Sequence, residues 1–201
     1  MINVLAEGGS PLNVGALVGI IIGVVLLIIV IFIVSWWIST ANRLRRYQVK
    51  IDEASSGIDV ALTKRYDLLT KEVATVKGYA KHESETLTNV TSMRRPASNA
   101  TMKEKSEFSA ACTKAFDSIN VVAEAYPDLK ASANFTALQN QIAEVEEQLQ
   151  ASRRVYNSNV STFNQDIVVF PTSIIARHYH FEKRDFFEAE EAKRADVKIE
   201  F

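Results

Sequence analysis

Val14-Gly-Ala-Leu-Val-Gly-Ile-Ile-Ile-Gly-Val-Val-Leu-Leu-Ile-Ile-Val-Ile-Phe-Ile-Val-Ser-Trp-Trp-Ile38 is a run of 25 almost wholly apolar residues, and no charge lies between Glu7 and Arg43. A helix needs about 20 such residues to cross the hydrocarbon core of a bilayer. The run therefore predicts a transmembrane helix over 14–38. Ile and Val are weak helix formers in water, but a lone span in lipid can satisfy its backbone only as a helix. A cleaved signal peptide fits poorly. The N-terminus has no basic residue, the run is too long, and no small-x-small site follows it. Residues 1–13 then form a short tail, and 39–201 form a tethered domain.

The flanks give an orientation. Arg43, Arg45, Arg46 and Lys50 follow the run, whereas Glu7 is the only charge before it. Positive flanks stay cytoplasmic, so the tail should face out and the large domain in. Trp36 and Trp37, with the three arginines, mark the interface, where amphipathic rings prefer the headgroup level. Gly15, Gly19 and Gly23 fall on one helix face. Small residues four apart let two helices approach closely in lipid. One such pair is weak, because glycine is common in membrane helices, but two in tandem point to self-association.

Beyond the run, all 23 Lys and Arg are balanced by 23 of the 24 acidic residues. A nucleic-acid binder would show a basic excess. The basic cluster at 43–50 leaves a local attraction to anionic lipid. The single cysteine, Cys112, excludes an internal disulfide, and its apolar neighbours suit a buried small residue. Only Gly57 and Gly78 follow the span, and Pro96, Pro127 and Pro171 fall between periodic stretches. Such scarcity of turn residues reads as helices.

The fold class is all-α: the membrane helix, an antiparallel bundle of long helices, a short C-terminal helix and an extended tail. The first bundle helix covers about 44–92. Its apolar line is Leu44, Tyr47, Ile51, Ala54, Ile58, Leu62, Leu69, Val73, Val76, Ala80, Leu87 and Val90, in steps mostly of three or four. No breaker separates it from the span. Thr101-Met-Lys-Glu104 fits a capping box opening a second helix over about 101–126, which Pro127 ends. A third helix covers about 134–168. Leu138, Ile142, Val145, Leu149, Ser152, Tyr156, Asn159 and Phe163 alternate steps of four and three, the repeat of a coiled-coil seam. Glu144, Glu146 and Glu147 read as its solvated face. In the C-terminal segment, 172–201, Thr172 or Ser173 is a candidate helix cap. Asp196 to Phe201 alternates like a strand, suited to docking on the bundle or to capture by a partner.

Few residues carry chemistry. His178-Tyr-His180 offers two imidazoles without a recognisable third ligand, so aromatic packing is the stronger reading. His82-Glu83 lacks the second histidine of a zinc-protease motif, since position 86 is Thr86. No phosphate loop or nucleophile turn occurs. No catalytic residue, cofactor or metal is expected. Arg65 stands out because it sits on the apolar line between Leu62 and Leu69. A buried guanidinium must be paired and hydrogen-bonded. Asn157, Asn159, Asn164 and Asp166 are the candidate partners, and a ligand contact is the alternative.

Arg65-Tyr-Asp-Leu-Leu69 and Val76-Lys-Gly-Tyr-Ala-Lys-His-Glu83 resemble the LemA family of bacterial membrane proteins. So do Arg153-Arg-Val-Tyr-Asn157, Phe170-Pro171 and Phe186-Phe-Glu188. The resemblance runs from the span to Phe201 and rests on the order and spacing of these pieces. It implies a single-span anchor at the bacterial cytoplasmic membrane and a long-helix bundle, and it brings no active site. Members usually carry Ile-Pro-Asn-Leu where this chain has Leu69-Thr-Lys-Glu72, so the first helix should run straighter here. The tail before the span is also longer than usual. The functional expectation is a non-enzymatic scaffold that self-associates at the membrane. The alternative is an adaptor or sensor that presents its bundle or tail to another membrane protein, such as a protease.

Overall fold

The computed structural model describes residues 14–79, 93–97 and 99–188. Among these the architecture is all-helical, with no strand. The helices are α1 (Val14–Tyr79), α2 (Met102–Glu124), α3 (Pro127–Lys130), α4 (Ala133–Asp166) and α5 (Thr172–His178). The predicted stretches 80–92 and 196–201 and the tail 1–13 lie outside the described residues.

α1 is one unbroken helix of 66 residues, about 100 Å long at 1.5 Å per residue. Its first part is apolar all round and touches nothing: every described side chain from Gly15 to Ser35 is exposed. Burial starts at Thr40 and Ala41, two residues past the apolar run. From there Leu44, Ile51, Ala54, Ile58, Leu62, Leu69, Val73 and Val76 form the core stripe. The two segments of α1 thus differ: the first is apolar and exposed all round, and the second buries one face in the bundle core. Gly57 does not break the helix. A Cβ built there would lie in ordinary contact with Ser152 Oγ of α4, at 3.4 Å.

α4 is antiparallel to α1. Gln139 meets Glu72, Lys64 meets Gln148, Asn159 meets Lys50, and Asp166 meets Arg43. The seam residues Val145, Leu149, Tyr156 and Phe163 are buried, joined by Phe135 and Val160. α2 runs the same way as α1: Lys105 meets Asp59, and Ser109 meets Arg65. The antiparallel relation therefore holds for α4 against both other long helices, not for α1 against α2. The returning chain before α2 makes this possible. It passes down α1 from Tyr66, which donates to the Met93 carbonyl, to Arg95, which donates to Thr63.

The capping box at Thr101 is formed in both directions. Thr101 Oγ1 accepts from Glu104 N at 3.2 Å, and Thr101 N donates to Glu104 Oε2 at 2.7 Å. The Thr101 N–H, and after it the Thr101 hydroxyl donating to Glu104 Oε2 at 2.9 Å, hold the Glu104 carboxyl below the usual carboxylate range. Thr101→Ala removes the cap and is expected to cost about 1 kcal/mol, read as a lower denaturant midpoint with an unchanged slope.

Two local expectations are corrected. The loop expected from Pro127 contains the one-turn helix α3, with Pro127 at its first position, where no donor is lost. Buried Leu129 anchors it. Neither Thr172 nor Ser173 caps α5. Pro171 occupies the cap position and makes no side-chain bond. The turn after α4 supplies backbone acceptors instead: Ser173 N donates to Val169 O and Ile174 N to Pro171 O. At its other end α5 closes with His180 N donating to Arg177 O and Phe181 N to Ala176 O. His180 takes the left-handed conformation (φ 54°) that glycine usually fills in this motif.

Candidate functional site

Three groups of residues stand out, and the bundle spaces them along α1. The first is a collar where the apolar run ends. Trp37 meets the His178 ring edge-on, with centroids 5.5 Å apart. Arg43 pairs with Asp166 at 3.3 Å. The Arg45 guanidinium lies 5.1 Å from the centre of the Tyr179 ring. Trp36 is half-buried and Arg46 is exposed. The structure thus brings Trp37, Arg43 and Arg45 together with the end of α4 and with α5. His178 packs among aromatic rings.

The second group surrounds Arg65, which is 4% exposed. Its Nη1 donates to Ser109 O at 3.0 Å and to Ser109 Oγ at 2.9 Å. Its Nη2 donates to Thr113 Oγ1 at 2.7 Å and pairs with Glu146 at 3.0 Å. The Phe116 ring lies 5.7 Å away. None of the expected partners on α4 is used. Asn157, Asn159, Asn164 and Asp166 sit on lower turns, nearer the membrane end, because α4 descends past α1. Glu146, read as solvated, is the residue that faces Arg65. Cys112, on the same face of α2, is fully buried, and burial pushes its thiol up to about 11. It is protonated at neutral pH and is not a nucleophile.

The sequence reading missed two more buried charges. Lys105 is buried against Asp59 at 2.7 Å, with Ser55 Oγ at 3.3 Å. Glu72 is fully buried, with Gln139 Nε2 donating to one of its oxygens, and burial raises its carboxyl to about 7. Both were detectable in principle. Lys105 stands between Met102 and Phe108 on the α2 stripe, and Glu72 continues the steps from Arg65 through Leu69 to Val76.

The third group is a clasp. Residues 181–188 return along α4. Tyr156 Oη donates to Asp185 O, and Asn157 bonds both the N–H and the carbonyl of Phe187. Arg153 lies 4.8 Å over the Phe187 ring, and Phe187 is buried. Asn164 bonds Arg184 in the same two-way manner. Paired side-chain amides thus hold an extended chain as a strand ladder would. Gly15, Gly19 and Gly23 share one face of α1, and a Cβ built at any of them meets nothing within 4 Å.

An exposed apolar helix that enters a charged, well-packed bundle without a break defines a membrane-associated helical protein. The sequence profile of the LemA family matches residues 54–201. Protein LemA of Metamycoplasma hominis is 32% identical over 163 residues, covering 80% of this chain and 74% of that protein. The chain belongs to the LemA family.

Proposed function

We propose that this protein is a non-enzymatic, self-associating scaffold, held by Val14–Ile38 in the bacterial inner membrane with its bundle at the cytoplasmic face. The observation that carries this reading is the continuity of α1. No break separates the apolar segment from the core stripe, so packing between spans would align whole bundles. The glycine face, open at all three positions, suits close contact with a second span. The two buried cations support a structural rather than a catalytic role, because each is paired with a half-buried carboxylate of a neighbouring helix. Arg65 engages Ser109, Thr113 and Glu146, and Lys105 engages Asp59. The basic residues that follow the span support the inward orientation.

The test is the mass of the full-length protein in mild detergent. A uniform homo-oligomer is expected, and Gly19→Leu should reduce it to smaller species, because the leucine side chain separates the helices. A monomer that captures one defined membrane protein would overturn the scaffold in favour of an adaptor. Oligomers untouched by Gly19→Leu would move the contact out of the span.

A further inference from the structure

We propose that the corner between α4 and α5 is a second membrane-contacting element. Val168, Val169, Phe170 and Ile174 dip into the headgroup and upper acyl region of the leaflet entered by the bundle end of α1. This inference rests on the reading that Val14–Ile38 crosses a bilayer.

Position is the first argument. Descending α4 tracks α1 as far as the Asp166–Arg43 pair. The chain then turns towards the apolar run. On its return, His178 of α5 packs on Trp37, inside that run. The corner is therefore bracketed by contacts with α1 at 43 and 37, the level at which the span leaves lipid. Packing against α1 already begins at Thr40, so no gap holds the bundle away from the bilayer surface.

Composition is the second argument. Val168, Val169 and Phe170 are consecutive and 55%, 57% and 77% exposed, with exposed Ile174 one turn along. Exposed apolar residues elsewhere on the bundle, such as Val49, Val60, Val121 and Val155, are separated in sequence. Scattered apolar side chains need no explanation, whereas a contiguous patch marks a contact surface. The occupant follows from what surrounds it. Arg45, Arg46 and Arg177 are exposed around the corner, as expected for an apolar tip with a cationic rim at an anionic bilayer. Aromatic Tyr179, its ring centre 5.1 Å from the Arg45 guanidinium, suits the same depth.

Together, span and corner would fix the bundle at two points. One helix alone leaves the rod free to tilt and rotate about its anchor. A second contact on the side of α4 and α5 would set which face of the bundle looks along the membrane.

The experiment uses the full chain with Cys112→Ala, carrying one environment-sensitive nitrobenzoxadiazole label. The protein is placed in phosphatidylcholine–phosphatidylglycerol vesicles containing nitroxide-labelled lipids. The label is attached in turn at Val169→Cys, at Ile29→Cys within the span, and at Val121→Cys. Val121 neighbours Asn120, which bonds Gln139 at the level of Glu72, about 50 Å beyond Ile38 along α1. The label at 169 should be quenched roughly twofold or more by shallow nitroxides, with blue-shifted emission, as for a side chain at the headgroup–acyl boundary. The label at 121 should be unaffected. Quenching at 29 without quenching at 169 overturns the corner and leaves the span standing. No quenching at either position overturns both. A blue shift at 169 without quenching, lost on diluting protein in lipid, assigns the corner to a second copy and also overturns the proposal.

Discussion

Arg65→Met is expected to destabilise the bundle by about 3 kcal/mol, at the lower end of what removing one partner of a buried charge network costs. For a domain of this size that is a fall in Tm of roughly 6–12 °C. Methionine fills much of the space, but it leaves the Ser109 carbonyl and the Ser109 and Thr113 hydroxyls without the guanidinium that links them. The estimate stays low because Glu146 is about one-third exposed and can take up water when Arg65 is gone. Glu146→Gln leaves Arg65 its bonds to α2 but takes away the carboxylate that faces it. A buried guanidinium without a counter-charge is costly, so this variant should also lose stability, by on the order of 2 kcal/mol once the one-third exposure of Glu146 is discounted. Arg65→Lys should cost less than Arg65→Met, since an ammonium keeps the charge but cannot span Ser109 and Thr113 as a planar fork does. Thermal unfolding of the three variants in detergent, followed by circular dichroism, measures the losses. An unchanged Tm in Arg65→Met, with loss of a binding activity, would remove the structural reading of Arg65 in favour of a ligand contact.

How far the sequence revealed this arrangement depends on the kind of interaction. Periodicity is a local property, and it showed the long helices well. The stripe from Leu44 to Val76 is buried apart from half-buried Tyr47, and of the eight seam residues Val145, Leu149, Tyr156 and Phe163 are buried while Leu138, Ile142, Ser152 and Asn159 are half-buried. The capping box was equally plain, because all its atoms lie within four residues. Partner choice is not local. Arg65 was placed on a buried line, but its partners depend on which helix lies beside it and in which direction. The sequence offered Asn157, Asn159, Asn164 and Asp166 of α4 as candidates. In fact α2 runs parallel to α1 and presents Ser109 and Thr113 there. Lys105 and Glu72 were passed over for a different reason. Their spacing put them on the apolar stripes as Arg65's did, but a charged side chain within a stripe is easily taken for an interruption at the edge of the face.

The membrane end shows the same division. The span, the tryptophans and the arginines are all visible in order along the chain. That His178 would meet Trp37, or Asp166 would meet Arg43, required the return path of α4 and α5. The resemblance pieces make sense in this light. Arg153, Tyr156 and Asn157 form one side of the clasp, and Phe186-Phe-Glu188 forms the other. Segments some thirty residues apart in sequence were related by a contact that neither segment shows alone.

Glu72 gives the second large effect, and its sign runs against the usual behaviour of carboxylates. The side chain is fully buried, one oxygen accepts from Gln139, and burial lifts its pKa from 4.5 to about 7. A carboxyl raised on folding binds its proton more tightly in the native state than in the unfolded chain. Between pH 4.5 and 7 the native state therefore holds more protons, and stability falls as pH rises through that window. Above about 7 both states are ionised and the penalty is constant. Below 4.5 both are protonated and the penalty is gone. Glu72→Gln keeps the shape and removes the charge. It is expected to raise stability at pH 8 by on the order of 2 kcal/mol, with a gain in Tm of several degrees. The gain should shrink steadily towards pH 4.5 and vanish below it, because there the wild-type side chain is already neutral. The comparison is a difference between two proteins at each pH, so the other titrating groups largely cancel. A gain that is independent of pH would mean that Glu72 stays ionised inside the bundle or reaches water. A loss of stability at pH 8 would mean that the charge is engaged by a partner, and the buried-acid reading would fall.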